Sequence, residues 1–331
     1  MRPTSSAAVY RPDLGQAVME YADDGTLQPI GLMVMPLFPT RKHAGSFPVI
    51  PKEALLKLPD TARAPRGSYN RDDFDYERGT YLTTENGWEE PLDDDERDMF
   101  DEEAPGAADD VAVQRAWEVI MRGQEKRIAD KVFSATNFTA NAVSNEWETA
   151  NGVPITDVND ARSAIRLQCG MLPNALVVGW TVFQNLKNNA QIVDRLKYTF
   201  PGIDLNRMSS EQLAAIFDLK YVLVGGMVYD SKGKGKAANI ADLWDDEYAM
   251  LTRVSESRNL REPCIGRTML WSADTPVNPI VETYREEKIR SDVYRVRHNT
   301  DEKLLASVNS SGTEVSKIYQ AVSYLMSNIT A

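Results

Sequence analysis

The sequence has few of the residues on which disulfide frameworks, metal centres and histidine chemistry depend. It contains two cysteines, Cys169 and Cys264, and two histidines, His43 and His298. Two cysteines give no disulfide framework and lack the ligand spacing of a zinc site, so we expect buried thiols in a reducing compartment. Neither histidine lies beside a Ser or Cys in a nucleophile motif. We therefore expect no catalytic residues, no metal, no cofactor and no enzymatic activity.

Membrane spans and an excess of positive charge are also missing. No apolar run approaches the ~18 residues that a spanning helix needs, and the N-terminus lacks the apolar core of a signal peptide. The formal net charge of the chain is −12, which favours solubility and argues against a nucleic-acid reader with a basic face. Apolar residues make up 42% of the chain, enough for a core in about two domains or one elaborate domain.

Two segments superficially resemble ligand sites. Residues 226–236 have the glycines and lysines of a phosphate loop, but not its GxxxxGK[ST] spacing. The acidic run 93–96 lacks the alternating ligands and central glycine of a calcium loop, so a solvated charge run is the better interpretation.

Residues 37–106 are the most unusual part of the sequence. Prolines recur too often for long helices, and short apolar pieces at 47–50 and 81–84 are typical of strands. The segment is too polar to build its own core and too aromatic for a free linker. Because so long an excursion is uncommon in a compact domain, we expect it to lie on another molecule. Residues 1–36, with a short amphipathic piece at 14–21, are expected to form an arm.

Charge is sorted within this segment. Residues 41–71 contain seven basic and two acidic residues, and residues 89–103 contain ten acidic residues and Arg97 as the single basic one. One interpretation is a pair of solvated faces or a disordered acidic loop. The other is a pair of complementary patches that meet between subunits and set their register. The candidate contact residues are Arg41, Lys42, Arg63, Arg66, Arg71, Glu89, Glu90, Asp93, Asp94, Asp95 and Glu96.

The rest of the chain has clear helix and strand patterns. Residues 109–133 predict a long helix with one apolar stripe, an Asp109 or Asp110 cap and a Glu118–Arg122 pair. The stripe consists of Val113, Trp117, Ile120, Met121, Ile128 and Val132, with Gln124 as its one gap.

Residues 279–298 alternate apolar and charged residues, which predicts one or two long strands that neighbours must cover. The apolar positions of this alternation are Val281, Thr283, Ile289, Val293, Tyr294 and Val296.

Residues 151–262 are typical of a compact α/β unit. Expected helices span 157–169, 181–188, 191–198 and 211–217, and expected buried strands span 175–178 and 221–229. Gly170 is placed to end the first helix, and Ser209 with Gln212 has capping-box spacing. Strand patterns return after residue 263.

Three groups of residues resemble one known family in their order along the chain. They are 63–67 with 81–94, then 173–180 with 186–189 and 195–199, and finally 243–251 with the strand pair 284–297. This order resembles the major capsid proteins of tailed bacteriophages, whose coat fold also forms herpesvirus shells and bacterial encapsulins.

The resemblance implies an α+β fold with the division of labour of a phage major capsid protein. The implied parts are an N-terminal arm at 1–36, an extended β-hairpin loop at 37–106, a peripheral domain with a long spine helix at 107–150 and 263–331, and an axial α/β domain at 151–262. The family forms pentamers and hexamers that close into an icosahedral shell around double-stranded DNA. The implied partners are further copies of the chain, a separate scaffolding protein, a portal protein, a decoration protein and weakly contacted DNA, in a virion assembled in the host cytoplasm.

Two other functions stay open from the sequence. An encapsulin-like compartment would use the same fold around a cargo enzyme. A soluble α/β enzyme built on residues 151–262 would instead form a small oligomer with a pocket of perturbed titratable groups.

Overall fold

The computed structural model describes residues 6–15, 29–51, 56–71, 76–103, 106–199, 208–232, 235–259, 261–276 and 279–330. In chain order, the strands are β1 Val9–Tyr10, β2 Leu37–Thr40, β3 Ala44–Val49, β4 Glu77–Leu82, β5 Thr84–Asp93, β6 Ala140–Ala142, β7 Ala175–Gly179, β8 Tyr221–Gly225, β9 Val228–Asp230, β10 Ile240–Asp242, β11 Ala249–Thr252, β12 Gly266–Trp271, β13 Ile280–Glu286, β14 Ser291–Leu304, β15 Ala306–Val308, β16 Glu314–Lys317 and β17 Ser323–Ser327. The helices are α1 Gly31–Val34, α2 Asp94–Glu103, α3 Ala107–Val132, α4 Pro154–Cys169, α5 Trp180–Asn188, α6 Ala190–Thr199, α7 Ser210–Phe217 and α8 Ile318–Ala321.

The first large sheet joins strands from distant parts of the chain. Its order is β1-β13-β14-β12-β2, and β5 also pairs with β14. β13 and β14 form an antiparallel hairpin, and β5 follows β14 from Thr84 opposite Thr300 to Asp93 opposite Ser291. The strand pair predicted over 279–298 is therefore confirmed. Ile289 is the exception, because it lies in the hairpin turn and is 46% exposed.

Helix α3 packs on β5 and β14 of this sheet. The whole predicted apolar stripe is buried, and so is the interruption at Gln124, whose amide faces Glu302 at 3.5 Å. The predicted Glu118–Arg122 pair forms at 3.8 Å. The predicted aspartate cap is wrong: Gly106 stands at the N-cap with a left-handed φ of 92°. Asp109 lies inside the first turn, where its carboxylate belongs to the buried cluster described below.

The second large sheet has the order β6-β17-β11-β7-β8. One face carries α4 to α7, and the other carries α1 and the C-terminal half of α3. The expected helices and strands of 151–262 are present, with Gly170 at φ 72° ending α4 and the Ser209–Gln212 capping box starting α7. The expected single strand over 221–229 is divided into β8 and β9.

Two strands of this sheet come from outside 151–262. β6 and β17 lie in segments that the sequence assigns to the peripheral domain, yet both belong to the second sheet, where β17 pairs with β11 and β6 pairs with β17. All four residues of β11 are buried, so its backbone needs hydrogen-bonding neighbours on both sides. A strand pattern reveals that such a neighbour is needed, but not which distant segment supplies it.

A third sheet, of order β16-β15-β4-β3, corrects the expectation for residues 37–106. Phe47 and Val49 of β3 join the core on the α4 side, and Leu92 of β5 is buried beneath α3. The expectation that this segment finds no core in its own chain is therefore wrong for these strands. The described part that does project is 56–71. Of the amphipathic piece predicted at 14–21, only Leu14 and Gly15 lie within the described residues.

Helix α3 contacts two separate cores. Its N-terminal half packs with Val281, Tyr294 and Val296 of the first sheet, and its C-terminal half packs with residues of the second sheet. Among the described helices, none combines the length and apolar character needed to cross a membrane.

His298 of β14 is a buried titratable residue in the contact between α3 and the first sheet. The ring is fully buried, with its Nε2 3.4 Å from Arg127 of α3. Burial is the main cause that lowers the pKa of His298 to about 4, and the Arg127 charge acts in the same direction. The Glu302 carboxylate acts the other way but has the smallest effect of the three. An unfolded histidine titrates near its ordinary pKa of about 6.5 and so takes up a proton before the native one does.

We therefore predict that this site loses about 3 kcal/mol of stability as the pH falls from about 6.5 to about 4. His298→Gln should flatten that part of the pH dependence, measured by urea denaturation of unassembled subunits. His43→Gln is the control, since the His43 residue is exposed and its ring packs edge-on against Trp271 at 5.1 Å. An unchanged slope in the His298 variant would contradict the assignment.

Candidate subunit-contact surface

The structure separates the two charged segments into two surfaces. Residues 56–71 form what we call the projecting loop, in which every residue is exposed except Gly67. Leu58 is 95% exposed and Tyr69 is 71% exposed. Exposed apolar side chains beside charged ones are typical of surfaces that bind another molecule.

Hydrogen bonds close the base of the projecting loop. The side-chain amide of Asn70 donates to the carbonyl oxygens of Asp60 and Ala62, at 3.0 and 3.3 Å. The Ala62 amide in turn donates to the Asp60 carboxylate at 2.9 Å. These hydrogen bonds therefore tie the two sides of the loop to each other.

The tip of the loop is also formed by its own residues. The Gly67 amide donates to the Ala64 carbonyl at 2.9 Å, and Arg63 Nε donates to the Gly67 carbonyl at 2.7 Å. The Arg63 guanidinium lies 4.5 Å from the centre of the Tyr69 ring, a cation–π distance. Arg66 adopts a φ of 65° at this turn, a conformation that is uncommon for residues other than glycine. Arg63 thus shapes the loop, and Arg66 is exposed at its tip.

The other basic candidates lie at different places. Arg71 is exposed at the end of the projecting loop, and Arg41 and Lys42 are exposed between β2 and β3. Among the described residues, none of the five basic candidates forms an ion pair with any of the six acidic candidates. Their meeting between subunits stays a prediction.

Two acidic candidates on β5 have partners within the chain. Glu89 lies 2.7 Å from Arg295 and accepts a hydrogen bond from the Tyr284 hydroxyl. Glu90 lies 3.1 Å from Arg115 of α3. These carboxylates are therefore engaged in joining β5 to its own sheet and helix.

The beginning of α2 is anchored in the same way. Asp94 accepts two hydrogen bonds from the Arg285 guanidinium, at 2.8 and 2.9 Å. Asp93 and Glu96 organise the preceding turn: Asp93 accepts from the Asp95 amide at 3.0 Å, and Glu96 accepts from the Asp93 amide at 3.4 Å.

Arg97, one turn further along α2, is the centre of a buried polar cluster. Its guanidinium donates to Asp109 of α3 at 2.5 Å and to Asp292 and Tyr294 of β14 at 2.8 Å each. The Tyr294 hydroxyl donates to Asp109 at 2.6 Å. Burial and this hydrogen bond to Asp109 raise the pKa of Tyr294, so the phenol stays protonated. Arg285 also reaches Asp292 at 3.0 Å, which joins the Asp94 pair to the same cluster.

The side of α2 opposite Arg97 faces solvent. Asp95, Met99 and Glu102 are exposed residues that share this face by helical spacing. Met99 is 74% exposed and the adjacent Phe100 is 41% exposed. Leu58, Tyr69, Met99 and Phe100 are exposed apolar side chains beside these charges that the sequence analysis did not include among its candidate contact residues. Apolar residues inside a strongly charged run are the signal that identifies them.

One cleft among the described residues was compared with the pocket that a soluble enzyme would need. A cleft of about 840 Å³ lies near β6 and β16, and its lining residues include Glu77, Gln168, Lys317 and Tyr324 but no histidine or cysteine. Among the described residues, no group of three or more His, Cys, Asp or Glu side chains is placed to hold a metal ion.

Comparison with known proteins identifies the fold. No family model matches the chain. The major capsid protein of Burkholderia phage BcepMu is 28% identical over 278 residues, covering 80% of this chain and 86% of that protein. A phage-related protein from Bordetella bronchiseptica RB50 superimposes with a TM-score of 0.69 at 20% identity, covering 98% of both chains.

Two more distant structures agree. A virus-like particle from Pyrococcus furiosus has a TM-score of 0.53 at 9% identity and covers 95% of this chain and 98% of its own. A chain of Mycobacterium phage Cain has a TM-score of 0.52 at 12% identity and covers 92% of both. The chain thus has the phage major capsid fold, and the resemblance to tailed-phage major capsid proteins is confirmed.

The buried cluster generates a stability prediction. Arg97→Met leaves the Asp109 and Asp292 carboxylates, whose side chains are 7% and 1% exposed, without their shared cation. Removing one partner of a buried ion pair costs roughly 3–5 kcal/mol. Urea denaturation of unassembled subunits should show a loss of unfolding free energy of that size.

Arg122→Met is the matched control for this prediction. It removes the solvent-facing Arg122–Glu118 pair, whose atoms are 3.8 Å apart, and should cost less than about 1 kcal/mol. Equal losses in the two variants would show that Arg97 acts as an ordinary surface charge.

Proposed function

We propose that this chain is the major capsid protein of a tailed bacteriophage, assembling as pentamers and hexamers into an icosahedral shell around double-stranded DNA. The observation that carries the proposal is the similarity to the BcepMu major capsid protein over 80% of this chain and 86% of that protein. Agreement in fold over the full length of the phage-related Bordetella protein supports it. The location is then the virion, with assembly in the host cytoplasm.

The two exposed surfaces support assembly from many copies. The projecting loop and the outer face of α2 are different patches of one chain, and each exposes apolar side chains to water. A contact between different patches is head-to-tail, and repeating it closes a ring when the rotation fits. Pentamers and hexamers are rings of this kind.

In the proposed shell, each part of the chain has the role of the corresponding part of a phage major capsid protein. The first sheet with α3 forms the peripheral domain, and the second sheet with α4 to α7 forms the axial domain around the five- and six-fold axes. The extended loop that covers a neighbour is narrower than 37–106 and is centred on 56–71, because β3, β4 and β5 pair within their own chain. Residues 1–36 keep the role of the N-terminal arm.

Other partners follow from the same role. A separate scaffolding protein guides closure, a portal protein occupies one vertex, and a decoration protein binds outside. Packaged DNA is contacted weakly and without sequence preference. The chain has a net charge of −12, so its carboxylates outnumber the cations that could bind phosphates.

The assembly prediction is tested with the full chain, expressed alone and together with the products of neighbouring genes. We expect particles of megadalton size by size-exclusion chromatography and closed shells by electron microscopy. Replacing 57–70 by a short Gly-Ser linker should leave a folded subunit, with an unchanged circular dichroism spectrum, that forms no shells. A single small oligomer under every condition would overturn the proposed function.

A compartment of the encapsulin type is the second candidate, favoured by the similarity to the Pyrococcus furiosus virus-like particle. Particles purified from cells that carry the gene separate the two functions. Nuclease-resistant double-stranded DNA inside the shell supports the phage, and a stoichiometric enzyme cargo supports the compartment.

A further inference from the structure

We propose that Glu125 of α3 is a shared latch that makes two distant segments of the chain open and close together. The segments are the start of α1, residues 29–35, and the loop between β10 and β11, residues 243–248. The coupling is a property of the single subunit, so its tests succeed or fail independently of the proposed shell.

The first argument is that both segments donate hydrogen bonds to one carboxylate. The Ile30 amide and the Trp244 indole donate to the same oxygen, Oε1, at 3.0 and 2.7 Å. The Gly31 amide donates to the other oxygen, Oε2, at 2.7 Å. Donors that share an acceptor depend on one another, because each helps to hold the carboxylate where the others need it.

The second argument is that these bonds alone compensate a buried charge. Glu125 is 2% exposed, and among the described residues no cation pairs with it. A buried carboxylate is costly unless hydrogen bonds replace its hydration. When one donor leaves, the carboxylate is under-solvated, which favours opening of the second segment as well.

The third argument is that three glycines make room for the latch. A Cβ atom on Gly31 would lie 2.5 Å from Glu125 Oε2, and one on Gly225 of β8 would overlap the Trp244 ring. A Cβ atom on Gly179 would lie 2.7 Å from the Trp244 carbonyl oxygen. None of the three glycines has a left-handed φ, so the close approach of other atoms is what requires glycine at these positions.

Trp244 carries the coupling into the second sheet. Its indole is fully buried against Gly225 and lies edge-on to Phe133 of α3, with ring centres 5.1 Å apart. Gly225 belongs to β8, which is the last strand of that sheet. A partner that pulls on the chain before α1 would therefore loosen residues 243–248 and this edge of the sheet.

Loss of the indole bond tests the coupling. Trp244→Phe keeps an aromatic ring but removes the N–H donor. In unassembled subunits it should accelerate hydrogen exchange across 29–35 by about fivefold or more, measured by mass spectrometry. Trp147→Phe is the matched control, since that indole is equally buried and donates to the Asp157 carboxylate at 2.8 Å. The control should leave 29–35 unchanged, and an equally unchanged Trp244→Phe chain would overturn the latch.

A double-mutant cycle separates the latch from simple packing. In a chain that carries Glu125→Met, adding Trp244→Phe should change exchange at 29–35 by less than about twofold, because the shared acceptor is already gone. The same acceleration with and without the carboxylate would show that Trp244 acts on α1 by packing alone.

Gly31→Ala tests the coupling in the reverse direction. Its methyl group would displace the Glu125 carboxylate, so exchange should rise across 243–248. Gly123→Ala is the control, because its Cβ atom would approach only Arg127, at 3.7 Å. Faster exchange at 29–35 with none at 243–248 would contradict the coupling, even if the Trp244 variant failed to fold.

The ionisation of Glu125 gives the latch a second signature. Burial raises the pKa of Glu125 despite its three donors, whereas a released and hydrated carboxyl has its ordinary pKa. The latched state therefore binds the proton more tightly than the released state. The latch is most stable below the ordinary pKa and weakens as the pH rises through the raised pKa.

We expect protection of 29–35 and 243–248 to fall with rising pH at one shared midpoint, after correction for the intrinsic rate of exchange. Glu125→Gln should remove this transition from both segments. Separate midpoints, no transition, or a transition that survives Glu125→Gln would overturn the role of this carboxylate. The neighbouring titratable groups are Lys126 and Asp130 of α3, which pair with each other, Tyr229 of β9, and Asp245, Asp246 and Glu247 of the loop, while α1 carries none.

Discussion

The orientation of the acidic helix α2 depends on one buried guanidinium, that of Arg97. A charge removed from water is tolerated only when bonded groups replace its hydration. Here Asp109, Asp292 and the Tyr294 hydroxyl accept its hydrogen bonds. These partners lie on α3 and β14, so the bonds fix α2 against both at once. Asp95 and Glu102 are then exposed on the opposite side of the helix, which gives this part of the acidic run a fixed orientation.

Buried polar side chains of α3 have a similar role along the rest of the helix. Glu125 accepts hydrogen bonds from the Ile30 and Gly31 amides and from the Trp244 indole, at 3.0, 2.7 and 2.7 Å. Burial raises the pKa of Glu125 despite these three donors. The carboxylate thus ties the start of α1 and the loop between β10 and β11 to one helix. Because apolar contacts are non-directional, such bonds specify which element packs where.

Local chemistry explains what the sequence predicted correctly. Gly170 at the end of α4, the Ser209–Gln212 capping box and the stripe of α3 each depend on residues within a few positions of one another. Pairing between distant strands left no such mark, so the places of β17 in the second sheet and of β5 along β14 were missed. The same limit applies to the contact surface. Arg97 stood out as the single base in an acidic run, but its partner Asp292 lies 195 positions away.

Assembly sets opposing requirements on these surfaces. Side chains such as Leu58 and Met99 favour association when buried, yet in the free subunit they are exposed to water and to wrong partners. Surrounding each set with charge of one sign makes contacts between like surfaces repulsive, so a loop does not pair with a loop or a helix with a helix. Ion pairs at the rim of a contact add little affinity but affect orientation and rate. In the proposed shell we therefore expect apolar burial to supply most of the affinity between subunits and the sorted charges to determine their orientation.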